Sequence, residues 1–265
     1  GAMDFARVPF IVIWETTQAC DLACVHCRAQ AQPTPLPGEL SFEEGCDLLD
    51  QVAELGARIM VLSGGDPLKR PDLADLIRHG KRRGLRVGTI PAATPRLTRE
   101  AVAQLAVAGI DQLALSLDFS TAEAHDAFRG VSGAFAKVME AAEWIHQAGV
   151  PLQINTVLTA DNFHEIDRLI ELVGRLRIVF WEVFVLVPIG RGSMVEGLTA
   201  TQCELAFATL YKLSRHAPFV VKVTEGMHYR RYVAQQRRAS GNAAPSRHGD
   251  GSLGVSVRTV NAGNG

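Results

Sequence analysis

Short apolar runs rich in β-branched residues recur along the chain, and amphipathic stretches of helical period fill the gaps between them. The runs are "PFIVIW" (9–14), "RIMVLS" (58–63), "LRVGTI" (85–90), "DQLALSLD" (111–118), "PLQINTVL" (151–158), "IVFWEVFVL" (178–186) and "PFVVKVT" (218–224). Helices are expected over 43–56, 71–83, 98–108, 133–148, 161–173 and 199–216. Ser41 ahead of Glu43 and Glu44, Pro71 with Asp72, and Thr98 with Glu100 supply start signals. Gly56, Gly84, Gly109 and Gly149 stand just past the last turns, where a left-handed residue closes a helix. Strands alternating with helices of this length form parallel βαβ units, so the expected class is α/β.

The interval between units carries a second message. Strand starts at 9, 58, 85 and 111 lie 49, 27 and 26 residues apart, so the first unit holds an insertion directly after its strand. That insertion, "ETTQACDLACVHCRAQAQPTPLPGE", contains Cys20, Cys24 and Cys27, three of the chain's five cysteines. In parallel α/β folds the loops at the carboxyl ends of the strands build the active site. The excess length therefore falls where chemistry is expected.

A tight thiol cluster in a chain with an odd number of cysteines points to metal rather than to disulfides. Structural zinc wants four protein ligands, usually as two remote pairs, and Cys46 and Cys203 are isolated while no H-x3-5-H pair occurs among the histidines. An iron-sulfur cluster normally takes four thiolates. With three, one iron has no ligand from this loop, and a substrate or cofactor would complete it. A non-catalytic zinc or iron-sulfur binding module is the alternative from another class.

Bulk properties narrow the partners. Lys plus Arg (27) nearly balances Asp plus Glu (28), so no global field draws the protein to nucleic acid or an anionic membrane. No apolar run reaches the roughly 20 residues of a membrane span, and no signal peptide is evident, so a cytoplasmic location is expected. A composition 47% hydrophobic can fill one large core.

C-x3-C-x2-C after the first strand, with His26 just before the third cysteine, resembles the radical S-adenosylmethionine superfamily. The resemblance implies a partial (βα)6 TIM-like barrel of parallel strands with outer helices. It also implies a 4Fe-4S cluster on Cys20, Cys24 and Cys27 whose remaining iron is chelated by S-adenosyl-L-methionine. "LSGGDPLKRPDL" (62–73) is similar to the family's Gly-Gly-Glu-Pro motif, which makes Gly64, Gly65, Asp66 and Pro67 cofactor-binding candidates, with Asp66 one methylene shorter than the usual Glu. By the same resemblance Ser116 and Asp118 of "LALSLD", Asn155 of "INTVL" and Val187 of "VPIGRG" line the cofactor.

The implied chemistry is one-electron reductive cleavage of the sulfonium by the cluster, giving a 5'-deoxyadenosyl radical that takes hydrogen from substrate. An outside donor such as flavodoxin or ferredoxin is implied. The stretch 125–149 and "VPIGRG" resemble the SPASM/twitch-type branch, which modifies peptides or heme precursors. No cysteine follows Cys203, so that branch's C-terminal extension is expected to be absent or truncated here. The expected organisation is a barrel over 4–225 and a segment over 226–265, with a mobile loop from about 235 and a possible strand at 253–260. The substrate is expected to be a peptide or tetrapyrrole-like molecule, with Arg129 and Arg191 as candidates for a carboxylate on it. A carbohydrate, nucleoside or cofactor precursor is the alternative within the same class.

Overall fold

The computed structural model describes residues 8–240. Seven strands, β1 (Ile11–Glu15), β2 (Ile59–Ser63), β3 (Arg86–Thr89), β4 (Gln112–Ser116), β5 (Leu152–Leu158), β6 (Phe180–Val185) and β7 (Val220–Thr224), pair in sequential order, every neighbour parallel. The six-unit expectation thus gains a seventh strand. Parallel crossovers are right-handed, so sequential order puts all connecting helices on one face. The other face is left as a concave lumen, open between the edge strands β1 and β7.

The helices are α1 (Phe42–Glu54), α2 (Leu73–Arg82), α3 (Arg99–Val107), α4 (Ala122–Arg129), α5 (Ala134–Gln147), α6 (Ile166–Arg175), α7 (Ala200–Ser214) and α8 (His228–Ala239). Ser41 and Glu44 form a reciprocal capping box at the start of α1, and Thr98 and Thr121 cap α3 and α4. The core lies between helices and sheet. Met60, Leu62, Leu113, Leu115, Ile154, Trp181, Val183 and Val221 are buried on the helix-facing side of their strands. Side-chain alternation then turns Gln112, Gln153, Asn155, Glu182 and Lys222 to the lumen.

Two elements depart from the expected pattern. The helix expected over 133–148 forms as α5, but α4 ahead of it was not among the expected helices; Gly130 ends α4 in the left-handed region (φ 71°) and Gly133 precedes α5 (φ 84°). Residues 235–239, read as the start of a loop, complete α8, whose Tyr229 and Val233 join the main core. The remainder of that loop and the possible strand at 253–260 lie outside the described residues. Cys46 and Cys203 sit on α1 and α7 and pack against the core.

Candidate active site at the carboxyl rim of the sheet

The insertion after β1 is held by the backbones of three other segments. The Gly65 N–H donates to Thr17 O at 2.7 Å and the Asp66 N–H to Ala19 O at 2.7 Å. Ala23 N and Val25 N donate to the carbonyls of Arg129 and Phe128, which the end of α4 leaves without helical partners. The Arg191 N–H donates to Cys27 O at 3.1 Å and its Nε to Cys24 O at 3.0 Å. A Cβ on Gly65 would overlap the carbonyl oxygens of Ala19 and Gln18, and one on Gly190 those of Arg28 and Cys27. The Gly-Gly pair expected to admit a cofactor therefore admits the cysteine loop itself.

Cys20 and Cys24 are buried, Cys27 is half-buried, and all three belong to one small cluster with Leu22, Ala31, Ala92 and Val131. Burial pushes the Cys20 thiol up to about 11, reinforced by Asp66 and the neighbouring thiols. Leu22 N and Ala31 N point at the sulfurs of Cys20 and Cys27, each at 3.4 Å, and Arg129 Nη1 faces Cys24 Sγ at 3.8 Å. Among the described residues no three His, Cys, Asp or Glu side chains converge on a point that would hold a single ion. Three thiols in one cluster, each approached by an N–H donor, fit a polynuclear iron-sulfur centre, whose potential such donors tune.

His26 stacks on Phe128 with ring centroids 4.3 Å apart and planes 11° from parallel, and Phe119 meets Phe128 edge-on. Burial and the Arg129 charge hold the His26 ring neutral, with its pKa down to about 4. Its Nδ1 is buried and, among the described residues, has no partner.

Both acidic candidates are engaged within the chain. Asp66, fully buried, accepts from Leu68 N, Ala92 N and the Thr94 hydroxyl. Burial raises its pKa against the pull of those donors. Asp118, also fully buried, accepts from Arg129 Nε and Nη2 and from Val157 N. Burial pushes its carboxyl up, but Arg129 and the two histidines His26 and His125 win and hold it below the usual carboxylate range. Thr121, not Asp118, caps the helix that follows.

Arg129, expected to hold a substrate carboxylate, instead lies buried between Asp118 and Cys24. Arg191 bonds the cysteine loop, and its buried Nη2 has no partner among the described residues. Ser116 and Asn155 are register neighbours on β4 and β5, and Val187 stands at the exposed rim beyond β6. Pro67 opens a short 3₁₀ turn, Pro67–Lys69, which Asp66 caps. Sequence reading missed His125, whose Nδ1 accepts from Asp118 N, and Asn162, whose amide spans Asp118 O and Val157 O. The i, i+4 spacing of His125 and Arg129 on one helix face was the available signal.

The lumen below this rim carries a hydrogen-bonded polar ladder. Gln112 donates to Gln153, which donates to Asn155 and to Glu182 Oε2. Glu182 Oε1 takes Lys222 Nζ at 2.6 Å and the Thr224 hydroxyl at 2.7 Å. Aliphatic side chains dominate the layers of a closed barrel, so a polar wall here marks a surface facing solvent or ligand.

A parallel half-barrel whose first rim loop carries three thiols belongs to the class of enzymes that work through a bound metal-sulfur cofactor. The Radical SAM superfamily model matches residues 14–173, and the chain belongs to that family, which uses a 4Fe-4S cluster and S-adenosylmethionine. It is 38% identical over 235 residues to the AdoMet-dependent heme synthase of Methanosarcina barkeri, covering 89% of this chain and 67% of that protein. To the PqqA peptide cyclase of Rhizobium meliloti it is 36% identical over 169 residues, covering 64% and 45%. These relatives stand in the SPASM/twitch-type branch that the sequence resembled. Among solved structures, Streptococcus suis SuiB bound to the precursor peptide SuiA matches with a TM-score of 0.71 at 19% identity, over 87% of this chain and 52% of that one. The chain thus spans between about half and two thirds of the length of these relatives.

Proposed function

We propose that this chain is the catalytic barrel of a radical S-adenosylmethionine enzyme acting on a tetrapyrrole in heme formation. The observation that carries the reading is the extent of likeness to the heme synthase. A match covering 89% of 265 residues necessarily includes every strand from β2 to β7, and so the whole polar lumen wall. The peptide cyclase match, at 64% of the chain, need not include all of these strands. A peptide substrate is the second reading, favoured by the fold shared with SuiB, which was solved with its precursor peptide.

In this reading Cys20, Cys24 and Cys27 would hold the cluster, and S-adenosylmethionine would bind beside them. When bound, the pair supplies an electron and a carbon-centred radical able to abstract hydrogen. The chain's own residues position and shield. Gly65, Asp66 and Arg191 fix the cysteine loop, His26 and Phe128 wall the cluster from water, and Ser116 and Asn155 offer hydrogen bonds where cofactor meets the sheet. Gly64, Pro67 and Val187 would line the same rim, with Asp118 behind it as the counter-ion of Arg129. In the lumen, Lys222 presents ammonium N–H groups beyond the one given to Glu182, suited to a substrate carboxylate.

The chemistry requires an outside one-electron donor of the flavodoxin or ferredoxin kind. No helix among the described residues is long and apolar enough to cross a membrane. We place the protein in the cytoplasm, where thiols stay reduced. The test is anaerobic reconstitution with iron and sulfide, followed by S-adenosylmethionine cleavage assays with Fe-coproporphyrin III or with short peptides. Cleavage stimulated by the porphyrin supports the reading. Stimulation by peptide alone replaces it with the second, and a colourless protein without cleavage removes both.

A further inference from the structure

Arg129 is the last residue of α4, and all three of its guanidinium nitrogens face partners inside the protein. Nε and Nη2 grip the Asp118 carboxylate, while Nη1 points the other way, at Cys24 Sγ, 3.8 Å distant. The residue is only 9% exposed, and Asp118 is at 0%. Asp118 is itself fixed, because Oδ1 accepts from Val157 N and its carbonyl accepts from Asn162. A cation is thus delivered to one cluster ligand with its counter-ion on the far side.

We propose that Arg129 is a positioning residue that sets the reduction potential of the centre ligated by Cys24, and that Asp118 limits how far it does so. The inference rests on the reading above that Cys24 is a cluster ligand. Two physical effects act in the same direction. An N–H donor on a ligand sulfur and a positive charge beside it both stabilise the added electron of the reduced state, which raises the potential. Asp118 opposes the charge part, more weakly because the guanidinium stands between it and the sulfur. The net effect eases electron entry from an external donor.

A purely structural role for this side chain is separable from an electrostatic one. The docking of α4 on the cysteine loop runs through backbone bonds, Ala23 N to Arg129 O at 3.2 Å and Val25 N to Phe128 O at 3.0 Å, which a change of side chain leaves in place. Arg191, the other guanidinium at this loop, bonds the Cys24 carbonyl through Nε rather than the sulfur.

The experiment is an EPR-monitored redox titration of the anaerobically reconstituted full chain without S-adenosylmethionine, with iron and sulfide counted for each variant. Arg129→Met is expected to assemble the cluster and to shift its midpoint potential negative, whereas Arg129→Lys, which keeps the charge, stays near wild type. Asp118→Asn, close in shape and still able to accept from Val157 N, is expected to shift it positive, because the guanidinium loses its counter-ion. Opposite shifts in Arg129→Met and Asp118→Asn support the proposal. An unchanged midpoint in a fully loaded Arg129→Met protein, or shifts of the same sign in both variants, overturns it. Should Arg129→Met fail to fold, the sign of the Asp118→Asn shift decides alone. Wild-type protein that assembles no cluster would instead sink the reading of Cys24 on which the inference stands.

Discussion

The imidazole of His26 lies flat against the ring of Phe128, so an aromatic pair joins the cysteine loop to α4 beside the thiols. Phe128 is 5% exposed and also meets Phe119 edge-on. Phe128→Ala removes both ring contacts and leaves a cavity, with an expected loss of about 3–5 kcal/mol of stability. Denaturant unfolding checks the magnitude. Iron should also leave the variant faster on exposure to a chelator, while Phe128→Leu stays close to wild type on both measures.

Gly65→Ala would force a methyl into the carbonyls of Ala19 and Gln18. Backbone must move to make room, breaking the bonds from Gly65 N and Asp66 N to the loop. The expected cost is about 1–3 kcal/mol, with cluster loading well below wild type and helical circular dichroism retained. Full iron content in this variant would contradict the close approach.

Cys24→Ala leaves two thiols in the loop. Cluster content and S-adenosylmethionine cleavage should fall together to background, measured as iron per chain and as 5'-deoxyadenosine formed. Cys203→Ala, on α7 and away from the rim, should change neither.

His125 is fully buried, and its Nδ1 accepts from Asp118 N, so the neutral ring carries its proton on Nε2. Burial lowers its pKa to about 4 against the attraction of Asp118, with Arg129 adding to the lowering. Above about 6.5 the ring is neutral in both folded and unfolded chains and contributes no pH dependence. As pH falls from about 6.5 toward 4, only the unfolded chain takes up the proton, so stability declines over that window. The denaturant midpoint of wild type should drop between pH 7 and 5, and His125→Asn should flatten that drop.

Lys222→Met removes the ammonium from the lumen wall while Glu182 keeps Thr224 and Gln153 as donors. The expected cost in stability is about 1–2 kcal/mol. Cluster loading and uncoupled cofactor cleavage should persist, whereas porphyrin binding, followed by absorbance titration, should weaken by about tenfold, the equivalent of one lost charge-assisted bond. Unchanged binding would place the substrate elsewhere.

Strand positions were legible because alternation and turn residues are local signals. The run 151–158 became Leu152–Leu158, and 58–63 became Ile59–Ser63. The thiol loop was legible for the same reason, since three cysteines fall within eight residues. The partners of the polar residues were not. Arg129 and Cys24 are 105 residues apart, and which sulfur a guanidinium reaches depends on how two loops dock, which no local pattern encodes. Asp66 reads as a cofactor contact by motif, and the donors it takes from Ala92 and Thr94, in the segment after β3, were not legible. The helix α4 was not read from the sequence because its 8 residues, closed by the left-handed Gly130, are too short for a clear helical period.

The sequential strand order has an evolutionary consequence. Because each strand-helix unit adds one segment to the mouth without threading past its neighbours, the lumen-facing residues of β5–β7 can diverge while Gly190 and Arg191, which reach back from the β6 rim to the thiol loop, stay fixed. A lineage can thus recruit new guest molecules by altering one wall, provided the few rim residues that clasp the thiols are inherited with them.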